Sequence, residues 1–349
     1  MLRRSMSIWS SSPRPISLAL QGGGAHGAFT WGVLDGLLDA GAHPIAAVSG
    51  TSAGAINAVL LAHGLLSGGR EGARAALAGF WEDLGRVVPW EMLGWVASDG
   101  DRLTPAGRLM LQWANFMAPL QDGMLRLDPL RDLLRRHVDF DLLRRQTRLR
   151  LHIAATHANS GRLRVFSHDE LTVEATLASA CLPTLQPPVL VDGEPYWDGG
   201  YSANPAIFPL VRERAASDVV VVMLSPRTLG DTPRTAEEVR VRAVEIAFNA
   251  AFLCEMRMLS DALSLARRAL WPGPLERRLR AMRWHLIDGH DTLSALPVDS
   301  KLIAHPQLLG RLHTAGRDRA AEWLAVHGAA IGRHSSADLQ RLFGTDNRQ

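Results

Sequence analysis

Residues 44–58, Pro-Ile-Ala-Ala-Val-Ser-Gly-Thr-Ser-Ala-Gly-Ala-Ile-Asn-Ala, carry a short apolar run into Gly50-Thr51-Ser52-Ala53-Gly54 and on into helix-forming residues. This is a G-x-S-x-G pattern placed where a strand gives way to a helix. A serine on such a turn points its hydroxyl into a cleft, and the flanking glycines permit both the turn and close approach of a substrate. The helix that follows aims its first amides at the same spot, which suits a developing oxyanion. A strand feeding directly into a helix points to an α/β architecture.

A second motif lies upstream. Ile16-Ser-Leu-Ala-Leu20 reads as a buried strand, Gln21-Gly22-Gly23-Gly24-Ala25-His26-Gly27 follows, and an apolar-periodic helix runs from about Ala28 to Leu38. Gly22, Gly24 and Gly27 fit the G-x-G-x-x-G of dinucleotide sites, which demands an acidic residue about 20 positions on. That window holds Ala46, Ala47, Val48 and Ser49 instead. The loop serves better as a row of backbone N–H groups at a helix N-terminus, able to bind a tetrahedral oxyanion. A third motif, Asp198-Gly199-Gly200, ends the strand- and turn-like passage Val189 to Trp197. It puts a carboxylate where a strand passes into a glycine turn, a common place for a catalytic side chain.

In this order and spacing the three motifs resemble the patatin-like phospholipase family. The resemblance spans roughly residues 15–212, including Ser179-Ala180-Cys181-Leu182-Pro183, Gln186-Pro187-Pro188 and Asn204-Pro205. It implies an α/β three-layer sandwich, a mainly parallel central sheet flanked by helices. It also implies a lipid acyl hydrolase of phospholipase A or esterase type that needs no cofactor and passes through an acyl-enzyme. Ser52 would be the nucleophile and Asp198 the general base, forming a dyad. Gly22, Gly23, Gly24, Ala25, His26 and Gly27 would form the oxyanion loop. Gly50, Thr51, Ala53 and Gly54 would shape the elbow, and Gly199 and Gly200 the turn after the aspartate. The sequence departs from the family at His26, where members often carry Arg or Lys; histidine makes charge beside the loop depend on pH.

Other readings stay open. Serine hydrolases ordinarily activate the nucleophile with histidine, and in α/β-hydrolases it comes late in the chain. His285, His290 and His305 qualify by order, but the glycine loop stands one strand-helix unit before the elbow, at the very start of the fold. An acyl-enzyme could be met by an alcohol or thiol in place of water, giving acyl transfer. Malonyl-type acyltransferases share the elbow but pair it with histidine and lack the early glycine loop. A silent lipid-binding regulatory protein is the remaining class, and three intact motifs count against it. No Cys/His spacing suggests zinc and no acidic loop suggests calcium, so no metal is expected.

The 349 residues carry 47% hydrophobic residues and a formal charge of +3, with Lys301 the only lysine. This modest, arginine-borne charge gives no reason to expect nucleic acid. Cys181 and Cys254 are too few for a disulfide framework and fit a reducing compartment. Residues 1–14 are expected to be a flexible N-terminus without the apolar core of a secretory signal. No run reaches the ~18 apolar residues of a membrane span. The expected location is cytoplasmic, with peripheral contact at the inner membrane face left open; a homodimer is also left open. Residues 15–212 are expected to form the catalytic domain, with a helical insertion at about 80–145. Phe80, Trp81, Trp90, Met92, Trp95, Met110, Trp113, Phe116 and Met117 fall there. They fit either a lid or acyl-chain pocket over Ser52 or plain helix packing. Residues 213–349 are expected to add a buried strand at 219–224, a long helix from about Thr235 to Leu270, a strand at 284–288 and a closing helix from Leu308 to Gly328, packed on the same domain. The last dozen residues, being polar, are expected to fray.

Overall fold

The computed structural model describes residues 14–87, 97–98, 101–104, 128–146, 148–183, 186–226 and 229–344. Its strands are β1 (Ile16–Leu20), β2 (Ile45–Thr51), β3 (Ala97–Ser98), β4 (Arg102–Leu103), β5 (Arg150–His157), β6 (Leu163–Ser167), β7 (Val189–Val191), β8 (Glu194–Asp198), β9 (Asp218–Met223) and β10 (Arg283–Asp288). Its helices are α1 (Gly27–Ala40), α2 (Ala53–Arg86), α3 (Pro129–His137), α4 (Phe140–Arg145), α5 (Val173–Ser179), α6 (Phe208–Glu213), α7 (Ala236–Arg268), α8 (Pro274–Ala281), α9 (His290–Leu293), α10 (Pro306–His327) and α11 (Leu339–Phe343).

Eight strands form one sheet in the order β10-β9-β1-β2-β5-β8-β7, with β6 also paired to β5. β10, β9, β1, β2 and β5 run parallel, whereas β6, β7 and β8 join by antiparallel pairing. The parallel strands are buried along most of their length because helices cover both faces. Leu18, Leu20, Val48, Val220 and Val222 point into a core shared with α1, the first turns of α2 and α10. The alternating residues Ala19, Ala47, Val219, Val221 and Met223 face α6, α7, α8 and α11. Strand alternation therefore builds the expected three-layer sandwich.

Helix α2 is broken at Gly68 and Gly69 (φ −154° and +63°), and its second half folds back so that Gly64 meets Gly72 and Ala73. The returning half carries Phe80 and Trp81 into the core, both essentially unexposed. Trp81 Nε1 donates to Asn57 Oδ1 at 2.9 Å. These two aromatics thus pack the interior and belong to α2 rather than to a lid. Trp90, Met92, Trp95, Met110, Trp113, Phe116 and Met117 lie outside the described residues. Over its described residues, 338–344, the end expected to fray is instead folded. Asp338 caps α11 by accepting from the Gln340 and Arg341 amides, and Leu339 and Phe343 pack against the core that α7 covers. Leu339, Leu342 and Phe343 form an apolar i, i+3, i+4 face, which decides against the polar average of the segment.

Candidate active site

Ser52 follows β2 and opens α2 with φ +56° and ψ −124°. A non-glycine residue rarely adopts this backbone, so the surrounding contacts must hold it there. Ser52 N–H donates to Ser179 Oγ at 3.0 Å, and Ser179 Oγ donates to Ala154 O at 2.6 Å. Thr51 Oγ1 donates to Ala203 O at 2.8 Å. Side chains on Gly50 or Gly54 would collide with backbone, at Gly54 and Leu20 respectively, so the helix start presses directly onto β1 and β2.

The sheet register brings Asp198 to Ser52. Thr51 pairs with Ala154 and Asp198 pairs with Ala155, while β6 covers residues 152–156 of β5 along its other edge. β2 and β8 therefore share one edge of β5, and their C-terminal ends meet head to head. Asp198 is fully buried. Its N–H donates to Cys181 O at 2.7 Å, its carbonyl accepts Thr156 Oγ1 at 2.9 Å, and its Oδ1 accepts Gly200 N–H at 2.7 Å. Ser179 and Cys181, two residues apart, thus anchor both the serine and the aspartate.

Burial pushes the Asp198 carboxyl up to about 7, against the opposing pull of the Gly200 amide and the Ser52 hydroxyl. The hydroxyl is near enough to favour the charged carboxylate, yet no group meets Oδ2 in bonding geometry. The Ser52–Asp198 contact is a loose one, as catalytic hydrogen bonds often are before substrate arrives. A carboxylate with this affinity for protons can accept one from a neighbouring hydroxyl near neutral pH.

The glycine loop lies against the same turn. A Cβ on Gly22 would fall 2.6 Å from Ser52 Cβ. The loop does not offer every amide, however. Gly22 N–H is taken by Asn204 Oδ1 at 2.6 Å, and His26 N–H by Gly23 O at 3.2 Å. Among the described residues no acceptor meets the N–H groups of Gly23, Gly24 and Ala53.

His26 behaves differently from the sequence expectation. It is 2% exposed, and burial, reinforced by the nearby charge of Lys301, lowers its pKa to about 3. It is neutral at physiological pH, so no pH-dependent charge sits in the loop. Ser300 Oγ donates to Pro297 O at 2.6 Å, so at its 2.7 Å contact with His26 Nε2 it accepts the ring N–H. Gly24 (φ +59°) presses on the Lys301 carbonyl, where any side chain would collide. The 3-10 turn Val298–Leu302 therefore braces the loop from behind, and Phe248 of α7 packs on Gly200. The C-terminal third borders the site on two sides.

The late histidines lie elsewhere. His285 sits level with Val48, three strands from β2 and four residues below Ser52, about 14 Å across the sheet and about 13 Å along it. It bonds Asp218 at 3.1 Å and Ser336 at 2.9 Å. His305 caps α10 and His290 opens α9. Among the described residues no histidine bonds Ser52 or Asp198. Cys181 is buried with Sγ 3.2 Å from Pro187 O, and Cys254 is exposed. No group of three or more metal-ligating side chains occurs among the described residues, and no helix there is long and apolar enough to cross a membrane.

The family model described as patatin-like phospholipase matches residues 18–211, more than half of the chain. The chain belongs to the patatin-like phospholipase family. This family member resembles the crystal structure of VipD from Legionella pneumophila, with 16% identity and a TM-score of 0.42 over 90% of this chain and 67% of that one. It resembles the type III effector protein ExoU at 16% identity and TM-score 0.38, over 90% of this chain but 54% of that one. Full-length ExoU in complex with full-length SpcU, from the type III secretion system of Pseudomonas aeruginosa, gives 16% and 0.32, over 92% and 80%. No curated protein matches the chain in sequence. Identities this low say nothing about substrate.

Proposed function

We propose that the protein is a lipid acyl hydrolase working through a Ser52–Asp198 dyad. The observation that carries this reading is the buried Asp198 carboxyl, raised to about 7, set beside a serine on a strained strand-to-helix turn. Asp198 takes the hydroxyl proton as Ser52 Oγ attacks the ester carbonyl. The negative charge on the carbonyl oxygen is met by the amides of Gly23, Gly24 and Ala53. Collapse breaks the bond to the alcohol, which leaves with the proton from Asp198, and Ser52 keeps the acyl group. Water then gives a proton to Asp198 and attacks the acyl-enzyme; collapse breaks the acyl–Oγ bond as Asp198 passes that proton to Ser52 Oγ, releasing a carboxylic acid and restoring both residues.

Site residues beyond the dyad take supporting roles in this scheme. Gly22 and Gly27 shape the loop, Ala25 and His26 pack it, and Gly199 and Gly200 turn the chain so that an amide faces Asp198. The single catalytic unit is proposed to include the C-terminal third, in a cytoplasmic protein whose peripheral contact with the inner membrane face is left open. A fluorophosphonate probe on wild type, Ser52→Ala and Asp198→Asn tests the scheme. Labelling at Ser52 in wild type and none in Ser52→Ala supports it; labelling that persists in Ser52→Ala overturns it. Acyl transfer is the second reading, favoured only if added alcohol diverts the acyl group from water.

A further inference from the structure

At the N-terminal ends of β1, β2 and β5, the end of the sheet away from Ser52, a cavity of about 560 Å³ opens between the strands and their helices. That size lies within the ~300–1,000 Å³ usual for small-ligand sites. Its wall is apolar, built from Leu37 and Leu38 of α1, Leu65 and Leu66 of α2, Leu149 before β5 and Trp323 of α10. Trp323 is 5% exposed, and its indole N–H is buried without an acceptor.

Two guanidinium groups, Arg70 and Arg148, stand at this apolar wall. Neither has a carboxylate or carbonyl partner among the described residues, whereas Arg74 and Arg317 nearby are both committed to Asp35 and Asp39. Gly41, left-handed at φ +59° where α1 ends, has no side chain to exclude the Arg70 guanidinium, which lies where a Cβ would be. Both arginines are exposed to solvent at the mouth of the cavity, so their guanidinium groups are open to an arriving anion. Unpaired guanidinium groups are fork-shaped partners for a carboxylate, and the leucine wall asks for a hydrocarbon.

We propose that this cavity binds a fatty acid of about twelve carbons, its carboxylate held by Arg70 and Arg148 and its tail lying among the leucines. The ligand class comes from the lining and its charge. It coincides with the acid released in the proposed reaction, but the site stands apart from Ser52. Helix α2 joins the two places, beginning at Ser52 and bringing Leu65, Leu66 and Gly69 to the cavity wall.

Calorimetric titration of the full Ser52→Ala chain with dodecanoate, dodecanol and dodecyl phosphate tests the proposal without any turnover. The expected result is saturable binding of dodecanoate, with dodecanol weaker by about tenfold or more. An Arg70→Ala/Arg148→Ala chain of unchanged Tm loses dodecanoate affinity by about tenfold or more, and Leu66→Trp, which fills the cavity, abolishes it. Absence of saturable binding overturns the proposal. So does equal affinity for dodecanol, tighter binding of dodecyl phosphate, or dodecanoate binding indifferent to the arginine pair. None of these results bears on whether Ser52 is a nucleophile.

Discussion

As the proposed general base Asp198 has to be ionised to receive a proton, and burial opposes its ionisation up to about pH 7. Esterase kcat/KM should therefore rise with pH through about 7 and level off above it; a flat profile from pH 5 to 9 would mean that another group is the base. Stability has the opposite sense. An unfolded aspartate titrates near 3.9, so between about pH 4 and 7 the folded state holds a proton that the unfolded state lacks. This group's stabilisation is full below about pH 4 and is lost as pH rises to about 7. Asp198→Asn should raise Tm at pH 8 and change it little at pH 4, and equal shifts at both would refute the account of the buried charge. Ser179→Ala removes the acceptor for the Ser52 amide. Loss of one such bond is worth about 1 kcal/mol, so kcat should fall about fivefold with KM nearly unchanged. Neither Ser179 nor Asn204 could be assigned from sequence, because Ser179 meets Ser52 across 127 positions and Asn204 meets Gly22 across 182.

At the scale of elements, local punctuation was readable. Proline and glycine bounded the apolar runs, so the long helix expected at about 235–270 is found at 236–268, and the closing helix expected at 308–328 is found at 306–327. The brace behind the glycine loop was not readable, since Ser300 reaches His26 across 274 positions. Ser300→Ala would strand the buried His26 N–H at a cost of about 1–3 kcal/mol. Urea unfolding should show that loss, with kcat reduced more than KM is raised; unaltered kcat would make the turn a structural prop only. A second cluster ties β9 to β10. Burial opposes ionisation of Asp218, but hydrogen bonds from His285, Arg283 and the Gly332 amide hold its carboxyl well below the usual range. The stability it brings is present above about pH 4 and is lost as pH falls. Asp218→Asn should cost about 3 kcal/mol at pH 7 and progressively less in acid.

Seen whole, the sheet order decides what the C-terminal third does. The sequence marked 219–224 and 284–288 as strands, yet nothing in a single chain says which neighbour a strand will choose. β9 pairs with β1, the strand that leads into the glycine loop, so residues 213–344 supply two strands of the parallel sheet and most of one helical layer. A chain cut after residue 212 would leave β1 with an open edge and Val219, Val221 and Met223 missing from their core. It should be insoluble or unfolded by circular dichroism, while the full chain melts in one cooperative transition. A folded, active 15–212 fragment would show that the extension is dispensable.

The central claim is that Ser52 and Asp198 act as one catalytic pair. Its most direct test is p-nitrophenyl butyrate hydrolysis at pH 8 by wild type, Ser52→Ala, Asp198→Asn and the double variant, each checked for folding. Members of one catalytic unit fail together, so each single variant should lose about 10³-fold or more in kcat and the double should be little worse than either. An Asp198→Asn enzyme that keeps near-normal turnover, or losses that multiply in the double variant, would contradict the pairing.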